Sequence, residues 1–476
     1  SLGVETLQVT ASDNKNEAVT ATINITTSPS SPSNYITSRE IIRPVYGDTV
    51  PEKGESRIDP VTGTRITRLT DASELDGTDD ALIVYSRYTP ENTDGEYFLA
   101  FGSNSTTSWL IERKTGDVVS KLSNIDNKDI GESHEVRWDI SGNKPNRLYY
   151  RYAMSFYKVD VIKTENEDTG ENTYSLEHTL LKDFSSLVPA ATKLYNDVEG
   201  DSSNDSDHWA FMAAHYDGVT YVVDAFIHYQ ISTGDTHTMT AQDLAGSPLN
   251  HYAEANKMPR PNMVEINPLG TGIVLHFGRS WETSTQSVRP DDIGTYFDGA
   301  HLWPLDFNYA TKVPVKISIS ETHAGWSFDD EGREMFVSQN NREDDLDAIY
   351  TSGDNSGYEN RVIVAEHSDF GWSTGFHYGK MPLSKKGWTF INTYSNVSRP
   401  THDTDWAVDQ FIMMKIDSIT NNPKIWRISP NYNRYAGHYR DEAPAAINTQ
   451  GNRIYVTTNW GGNLANREVF LFELPS

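Results

Sequence analysis

The sequence predicts an all-β protein, and three observations lead to this prediction. Short apolar strands alternate with polar turns along most of the 476 residues. The chain contains 25 Tyr, 17 Phe and 11 Trp, an aromatic content typical of pleated, half-buried strands and not of a disordered chain. We find no convincing amphipathic helix longer than two turns. These features together favour a globular protein built from strands.

A repeated pattern specifies the architecture. In each copy an apolar strand is followed by a polar turn containing Gly or Asn and then by a second apolar strand. The seven copies are Ser86–Gly102, His134–Tyr150, His208–Val223, Asn262–Phe277, His323–Val337, Gly379–Thr393 and Pro444–Thr458. Their mean spacing of roughly 55 residues fits propeller repeats of ~40–50 residues with insertions and exceeds the ~20–29 residues of many solenoids. The pattern predicts a seven-bladed β-propeller in which Gly47–Asp71 supplies the outer strand of the last blade.

The first residues predict a separate unit. Thr6–Thr27 alternates apolar and polar residues around an Asp-Asn-Lys-Asn turn, a pattern that predicts a β-hairpin. The hairpin resembles the last two strands of an immunoglobulin- or cadherin-like module, and Ser28–Asn34 predicts a Pro/Ser linker. We therefore expect residues 1–34 to form a hairpin and linker tail and residues 35–476 to form the propeller.

The composition excludes several classes of protein. Sixty-seven Asp and Glu against 40 Lys and Arg give a net charge of −27, which opposes binding to nucleic acid or to an anionic membrane and suits a monomer. No apolar run reaches the ~20 residues of a membrane span. The chain lacks cysteine, which excludes disulfide scaffolds, thiolate zinc sites and Cys nucleophiles. No signal peptide is visible at Ser1, and the acidic, Asn/Ser/Thr-rich composition predicts a secreted protein, extracellular or periplasmic.

The candidate site residues are cations and aromatic residues near the predicted blade starts. Loops that lead into the innermost strands of a propeller open on one rim, so side chains from distant repeats converge there. The cations at these positions are His134, His208, Arg260, His323, His377, His438 and Arg440. In a protein with excess carboxylate, they would form a positive basin for an anionic ligand. For any single histidine, a hydrogen bond to the neighbouring backbone is the alternative.

Two long polar insertions add further candidates. Residues 247–262 contain Tyr252, and residues 278–307 contain Arg279, Arg289 and Tyr296. Long insertions on one face of a repeat protein are more often binding loops than loops without a function. The predicted substrate-binding residues are His134, His228, Asn262, Arg279, Arg289 and Tyr296.

This combination of side chains favours one reaction. Without a Ser or Cys nucleophile, His, Tyr and Arg suit removal of a carbon-bound proton beside a carboxylate, because the cation stabilises the enediolate. A neutral His or a deprotonated Tyr removes the proton, and a Tyr hydroxyl protonates the leaving oxygen. The reaction is β-elimination at the C4–O4 bond of a uronic acid and needs no redox cofactor; GxGxxG, P-loop and HExxH motifs are absent. The alternatives are a non-catalytic glycan-binding propeller and a glycoside hydrolase with two opposed carboxylates.

Three motifs resemble those of the propeller lyases that cleave ulvan, a sulfated rhamnose–uronate polysaccharide. They are DHWAFM with a second histidine in FIHYQ, the Tyr-containing loop before PRPN, and GTYFDGAHLW. The resemblance implies an anionic polysaccharide substrate, with His208 as base or proton shuttle and His228 orienting the substrate. It also implies that Tyr252 is the catalytic tyrosine and that Arg260 neutralises the carboxylate. Tyr296 is then a subsite residue, or exchanges roles with Tyr252.

A second, weaker likeness concerns metal binding. His323–Val337 resembles blade openings of oligogalacturonate lyases, which implies that His323, His377 and His438 hold a divalent cation such as Zn²⁺ or Mn²⁺. Three structural imidazoles are the alternative. The acidic loops Asp329–Gly332 and Asn340–Asp347 are candidate Ca²⁺ sites without the spacing of an EF-hand, and solvated loops are the favoured interpretation.

Overall fold

The computed structural model describes most of the chain. It covers residues 3–12, 18–27, 36–47, 49–75, 78–104, 106–197, 199–245, 247, 258–277, 281–282, 287–288, 299–310, 312–319, 321–395, 405–416, 423–435, 437 and 439–474. No helix of this part of the chain is long and apolar enough to cross a membrane. Its helical segments are 3-10 turns at Ala72–Glu74, Glu132–His134, Ala241–Leu244, Tyr358–Asn360, His367–Asp369, Leu383–Lys385, Tyr439–Glu442 and Trp460–Gly462.

Seven antiparallel sheets form the blades of a β-propeller, and we give their strands from the channel outward. Blade 1 is β5 (Ala81–Leu82), β6 (Tyr97–Gly102), β7 (Ser108–Glu112) and β8 (Val118–Lys121), and blade 2 is β9 (Arg137–Trp138), β10 (Arg147–Tyr152), β11 (Ser155–Glu165) and β12 (Asn172–Asp183). Blade 3 is β13 (Lys193–Tyr195), β14 (His208–Tyr216), β15 (Tyr221–Gln230) and β16 (Thr236–Thr240), and blade 4 is β17 (Met263–Ile266), β18 (Ile273–His276), β21 (Ala300–Trp303) and β22 (Val315–Lys316). Blade 5 is β23 (Glu321–Phe328), β24 (Glu334–Asn340), β25 (Asp345–Tyr350) and β26 (Val362–Glu366), and blade 6 is β27 (Thr374–Tyr378), β28 (Trp388–Ser395), β29 (Gln410–Lys415) and β30 (Ile425–Pro430).

Blade 7 closes the ring by combining both ends of the propeller. It contains β31 (Ala445–Ile447), β32 (Arg453–Thr458), β33 (Glu468–Glu473), β4 (Arg65–Arg68) and β3 (Ser56–Ile58). β33 pairs with β4 from Phe470↔Arg68 to Glu473↔Arg65. The predicted seven-bladed propeller and its closure by Gly47–Asp71 are therefore confirmed. Closure removes two sheet edges that would otherwise be free to pair with other chains.

The blades pack against each other through apolar side chains. Between blades 6 and 7, for example, Phe390, Phe411, Ile454 and Phe472 belong to one buried cluster. Phe411 and Phe472 meet edge-to-face with ring centroids 5.0 Å apart. Alternate residues of each strand face opposite neighbouring blades, which explains why most strands are apolar on both faces.

Two hairpins lie outside the blades in the described part of the chain. β1 (Gly3–Ser12) and β2 (Ala18–Thr27) pair in the predicted hairpin, and β19 (Trp281–Glu282) pairs with β20 (Ser287–Val288). Ile36 bridges to Arg427 on the outer strand of blade 6. The domain boundary after residue 34 stays a prediction.

The two faces of the propeller are defined by strand direction. We name the face at which the innermost strand of each blade begins the upper face, and the opposite one the lower face. The second strand of a blade therefore begins at the lower face and ends at the upper face. His208 begins β14, the second strand of blade 3, so it lies at the lower face and not at the predicted rim. The innermost strand, β13, has only three residues and gives a weaker pattern than the long pair β14 and β15.

Candidate active site at the upper channel mouth

Two histidines meet at the upper end of the channel. His323 in β23 and His377 in β27 come from neighbouring blades, and their ring centroids are 4.6 Å apart. Tyr394, at the end of β28, stacks on His377 with a centroid distance of 4.7 Å. The Tyr85 hydroxyl of blade 1 lies 3.4 Å from His377 Nδ1. Imidazole and phenol groups from three blades therefore form one cluster.

The charge state of this cluster is set by burial. His377 is 1% exposed, and burial lowers its pKa to about 3, so its imidazole is neutral at pH 7. Its Nε2 lies 3.4 Å from a carboxylate oxygen of Glu442. Burial raises the pKa of Glu442, and His323 opposes that shift. A neutral imidazole next to a carboxylate is suited to proton transfer.

Two phenols complete the mouth as proton donors. Desolvation, followed by the charge of Glu442, raises the pKa of Tyr394. Desolvation, followed by the charges of Glu199 and Glu442, also raises the pKa of Tyr439. Both hydroxyls therefore keep their protons at neutral pH. Tyr439 is 53% exposed and is the phenol of the two that a ligand can reach directly.

A guanidinium borders the same mouth. Arg440 precedes the innermost strand of blade 7, and its Nη2 lies 2.9 Å from Glu132 Oε2 in the loop that leads into blade 2. The pair spans the entrance of blade 1, which lies between those blades. Both side chains remain partly exposed, at 18% and 16%. Arg440 therefore lies at the border of the mouth as the partner of Glu132.

A second group of cations lies on the same face at blades 2 to 4. Arg151, Lys193 and Arg260 interact there with Glu135 and Asp197. Arg151 Nε donates to Glu135 at 2.7 Å, and Arg260 Nη1 donates to Thr220 Oγ1 at 3.1 Å.

His134 lies beside this second group. Its Nδ1 accepts a hydrogen bond from Gly131 N at 3.2 Å. Burial lowers the pKa of His134, and Arg151 and Lys193 add to the shift. Burial is the main cause of this shift, and the carboxylate of Glu135 opposes it, so the neighbourhood of His134 contains charges of both signs.

Buried ion pairs fill the channel beneath the mouth. Glu265 in β17 accepts hydrogen bonds from Arg87, from His276 Nε2 at 2.9 Å and from Trp326 Nε1 at 3.0 Å. Arg87 and Glu265 are 3% and 1% exposed. Although burial opposes ionisation, Arg87 and His276 hold the pKa of Glu265 below its usual range. This network joins β17 of blade 4 to Arg87 after the innermost strand of blade 1 and to Trp326 of blade 5.

The lower face carries a separate row of histidines. His208 Nδ1 and His228 Nε2 are 3.0 Å apart and share a hydrogen bond, and His228 also stacks on His237 with centroids 5.7 Å apart. A cavity of about 290 Å³ opens at this end, lined in part by Asn204 and Lys380. β14 spans nine residues between His208 and the hairpin that Arg260 contacts, a distance of about 26 Å at ~3.3 Å per residue. The structure therefore places His208 and Arg260 at opposite faces and does not bring them together, whereas it places His208 beside His228.

We expect the His228→Gln substitution to reduce the loss of folding stability that occurs as the pH falls. Burial, followed by the charges of His208 and His237, lowers the pKa of His228 to about 3. As the pH falls below about 6.5, the imidazole of His228 binds a proton in the unfolded chain but not in the folded chain. The free energy of unfolding therefore falls by up to about 1.4 kcal/mol per pH unit down to about pH 3. Urea unfolding at pH 7 and at pH 4 should show a smaller decrease in the free energy of unfolding for His228→Gln than for the parent protein. The control is His215→Gln at the partly exposed end of β14 in the same sheet. Equal pH slopes for His228→Gln and the parent would contradict the prediction.

The remaining predicted residues fall into two sets. Asn262 and His134 lie at the upper face, where Asn262 N donates to His276 O at 2.6 Å. Tyr252, Arg279, Arg289, Tyr296 and His438 lie outside the described residues. Their roles stay predictions.

Sequence reasoning missed Tyr85, Tyr394, Tyr439 and Glu442. Tyr394 had a usable signal, because the end of a second strand lies at the same face as the start of the first. Tyr439 lies between the predicted candidates His438 and Arg440, and Glu442 follows two residues later. Their positions in the sequence could therefore have suggested Tyr439 and Glu442 as site residues. Tyr85 gave no such signal, because the short inner strand β5 does not mark its depth in the channel.

The described residues do not provide a set of three ligands for a metal ion. His323 and His377 are adjacent, yet among the described His, Asp and Glu side chains no group of three is arranged to hold a metal ion. The acidic loops give no support for calcium either, because Asp329 accepts from Arg333 Nε at 2.7 Å and Asp347 from Asn340 Nδ2 at 2.8 Å.

Comparison with known proteins supports the fold. The sequence matches no protein-family model and no curated protein. Among solved structures, an oligogalacturonate lyase from Vibrio parahaemolyticus superposes over 89% of this chain and 97% of its own, with a TM-score of 0.52 and 11% identity. A hydrazine synthase from Kuenenia stuttgartiensis covers 83% of this chain and 98% of its own, with a TM-score of 0.40 and 10% identity. At such identities the similarity establishes a propeller fold and nothing finer.

Proposed function

We propose that this protein is a polysaccharide lyase that cleaves a uronic-acid-containing polymer by β-elimination. The observation that carries the proposal is the cluster at the upper channel mouth. There His323, His377 and Tyr394 from blades 5 and 6 meet the loop before blade 7, which contributes Tyr439 and Arg440. Elimination beside a carboxylate needs a base, a proton donor and a cation, and the mouth offers all three.

The geometry supports specific roles. His323 is half-buried at the mouth and would remove the C5 proton, while neutral His377, which is more deeply buried, packs against its ring. Arg440 would bind the uronate carboxylate and stabilise the enediolate. The Tyr439 hydroxyl would protonate the departing O4. These assignments move the base from His208 to His323, and Tyr252 remains an alternative donor.

The proposed substrate is a sulfated, ulvan-like uronate polymer. A chain of net charge −27 repels polyanions in general, so the cations Arg151, Lys193, Arg260 and Arg440 on the upper face are what would attract one. An oligogalacturonate-type lyase is the alternative, and the fold of the Vibrio enzyme fits both. We further propose that the protein is secreted and monomeric and that nucleic acids and membranes are not partners.

The experiment follows the unsaturated ring that elimination creates. Ulvan, polygalacturonate and a neutral glucan are each mixed with the protein, and ultraviolet absorbance is recorded. We expect absorbance to rise with ulvan and not with the glucan. A rise with polygalacturonate alone would move the substrate to pectic polymers, and no rise with any polymer would leave a glycan-binding propeller instead.

Two further measurements complete the proposal. Comparison of Tyr439→Phe with Tyr252→Phe identifies the proton donor, because only the variant that lacks the donating hydroxyl should lose turnover. Metal analysis of the purified protein tests the cation at His323, His377 and His438. No step of the proposed reaction depends on that cation.

A further inference from the structure

Three tyrosines form a row on the upper face of blade 3. Tyr195 lies in the innermost strand, and its ring centroid is 6.4 Å from that of Tyr221. Tyr221 is in turn 5.5 Å from Tyr216, its cross-strand partner at the end of the β14–β15 hairpin. Tyr195 is buried, whereas Tyr221 is 37% exposed and Tyr216 is 56% exposed. The row therefore leads outward from the channel wall to the solvent.

The outer part of this row is held rigidly although it is exposed. Asp217 Oδ1 accepts hydrogen bonds from the backbone N–H groups of Val219 and Thr220, both at 2.8 Å. Arg260 fixes the same turn through Thr220 Oγ1 at 3.1 Å. Val219 at the apex is 86% exposed, so the hairpin presents apolar surface without covering it. A preorganised aromatic surface of this kind binds a partner at a low entropic cost.

Cations lie directly beside the exposed rings. Lys193 Nζ is 4.8 Å from the Tyr221 ring centroid and 5.8 Å from that of Tyr195. Burial, followed by Arg151, lowers the pKa of Lys193. Within the described part of the chain, Lys193 has no carboxylate within ion-pair distance. Only Nη1 of the Arg260 guanidinium donates to described residues. Both cations therefore retain capacity to bind an anion.

We propose that Tyr216, Tyr221, Lys193 and Arg260 form a subsite for an anionic sugar residue of the polymer, outside the reacting unit. The apolar face of the sugar ring would stack on the tyrosines, and its sulfate or carboxylate group would contact the two cations. The inference rests on the proposed function, because the row lies on the same upper face as the proposed reacting groups. It adds that the enzyme holds a polymer across blade 3 and does not only recognise a single uronate.

Binding measured without turnover tests the subsite. In a His323→Ala background, dissociation constants for ulvan and for chemically desulfated ulvan are determined at two salt concentrations. We expect Tyr216→Ala to weaken binding of both polymers about three- to tenfold, the amount that one aromatic contact contributes. Lys193→Gln should weaken binding and reduce its salt dependence, because it removes an ionic contact. If Lys193→Gln weakens the binding of ulvan but not of desulfated ulvan, the anion that Lys193 contacts is sulfate. If it weakens the binding of both polymers, that anion is the uronate carboxylate.

The control is Tyr174→Ala near the start of β12, the outermost strand of blade 2, which lies toward the lower face and away from the row. Its affinity should match that of the His323→Ala protein. If Tyr216→Ala and Lys193→Gln also bind like that protein, the subsite is overturned even where the parent cleaves ulvan. If the parent does not cleave any uronate polymer but these variants still lose affinity, the subsite stands and the lyase proposal fails.

Discussion

Replacement of His323 by alanine should reduce formation of the unsaturated product about 100- to 10,000-fold, the contribution typical of a positioned acid or base. His323 is the half-buried imidazole of the mouth, whereas His377 beside it is 1% exposed and out of reach of a polymer. The measurement is the initial rate of ultraviolet absorbance with ulvan at saturating concentration. Circular dichroism should show an intact fold, because His323 lies at the edge of the core.

The matched control is His208→Ala. His208 lies at the lower face, about 26 Å from the hairpin that Arg260 contacts at ~3.3 Å per residue. If the mouth is the active site, this variant should retain product formation. If His208→Ala abolishes turnover while His323→Ala retains it, the site belongs at the lower face and the motif resemblance is the better guide.

Replacement of Glu265 by leucine should lower the free energy of unfolding by about 3–5 kcal/mol, because it leaves the Arg87 guanidinium buried without its carboxylate. Glu265 is 1% exposed and accepts hydrogen bonds from Arg87, His276 and Trp326, so its loss removes three buried hydrogen bonds at once. Urea unfolding followed by tryptophan fluorescence measures the change.

The double variant Arg87→Met/Glu265→Leu is the control for charge. With both charges removed, the desolvation penalty of a guanidinium that has lost the Glu265 carboxylate disappears, and we expect part of the lost stability to return. A double variant that is less stable than Glu265→Leu alone would show that packing, and not the uncompensated charge, sets the loss.

Much of the architecture was predictable because it depends on local patterns. Strand–turn–strand repeats recur along the chain, and the copies that begin at His134, Asn262, His323 and Pro444 fall on the first two strands of blades 2, 4, 5 and 7. The closing strand before Asp71 was also predictable from its position. The copy that begins at His208 was displaced by one strand, because β13 has three residues and a long following loop.

The candidate site depended on the face of the propeller at which each residue lies, and the repeated sequence pattern does not encode that face. A displacement of one strand reverses the face at which a residue lies, so His208 and Arg260 share a region of sequence but not a region of space. Tyr85, Tyr394 and Glu442 reach the mouth from blade 1, blade 6 and the loop before blade 7, and His377 touches all three. Their spacing in sequence carries no periodic signal.

The sequence alone determined the fold class, the number of blades and the kinds of side chain available for chemistry, because alternation and composition act over a few residues at a time. Only the tertiary structure decided which of those side chains meet. Closing the ring brings blade 1 next to blade 7 and aligns the inner strands around one axis, so distant imidazole, phenol and guanidinium groups share a single mouth. The burial that follows from this arrangement makes His377 neutral and keeps the tyrosines protonated.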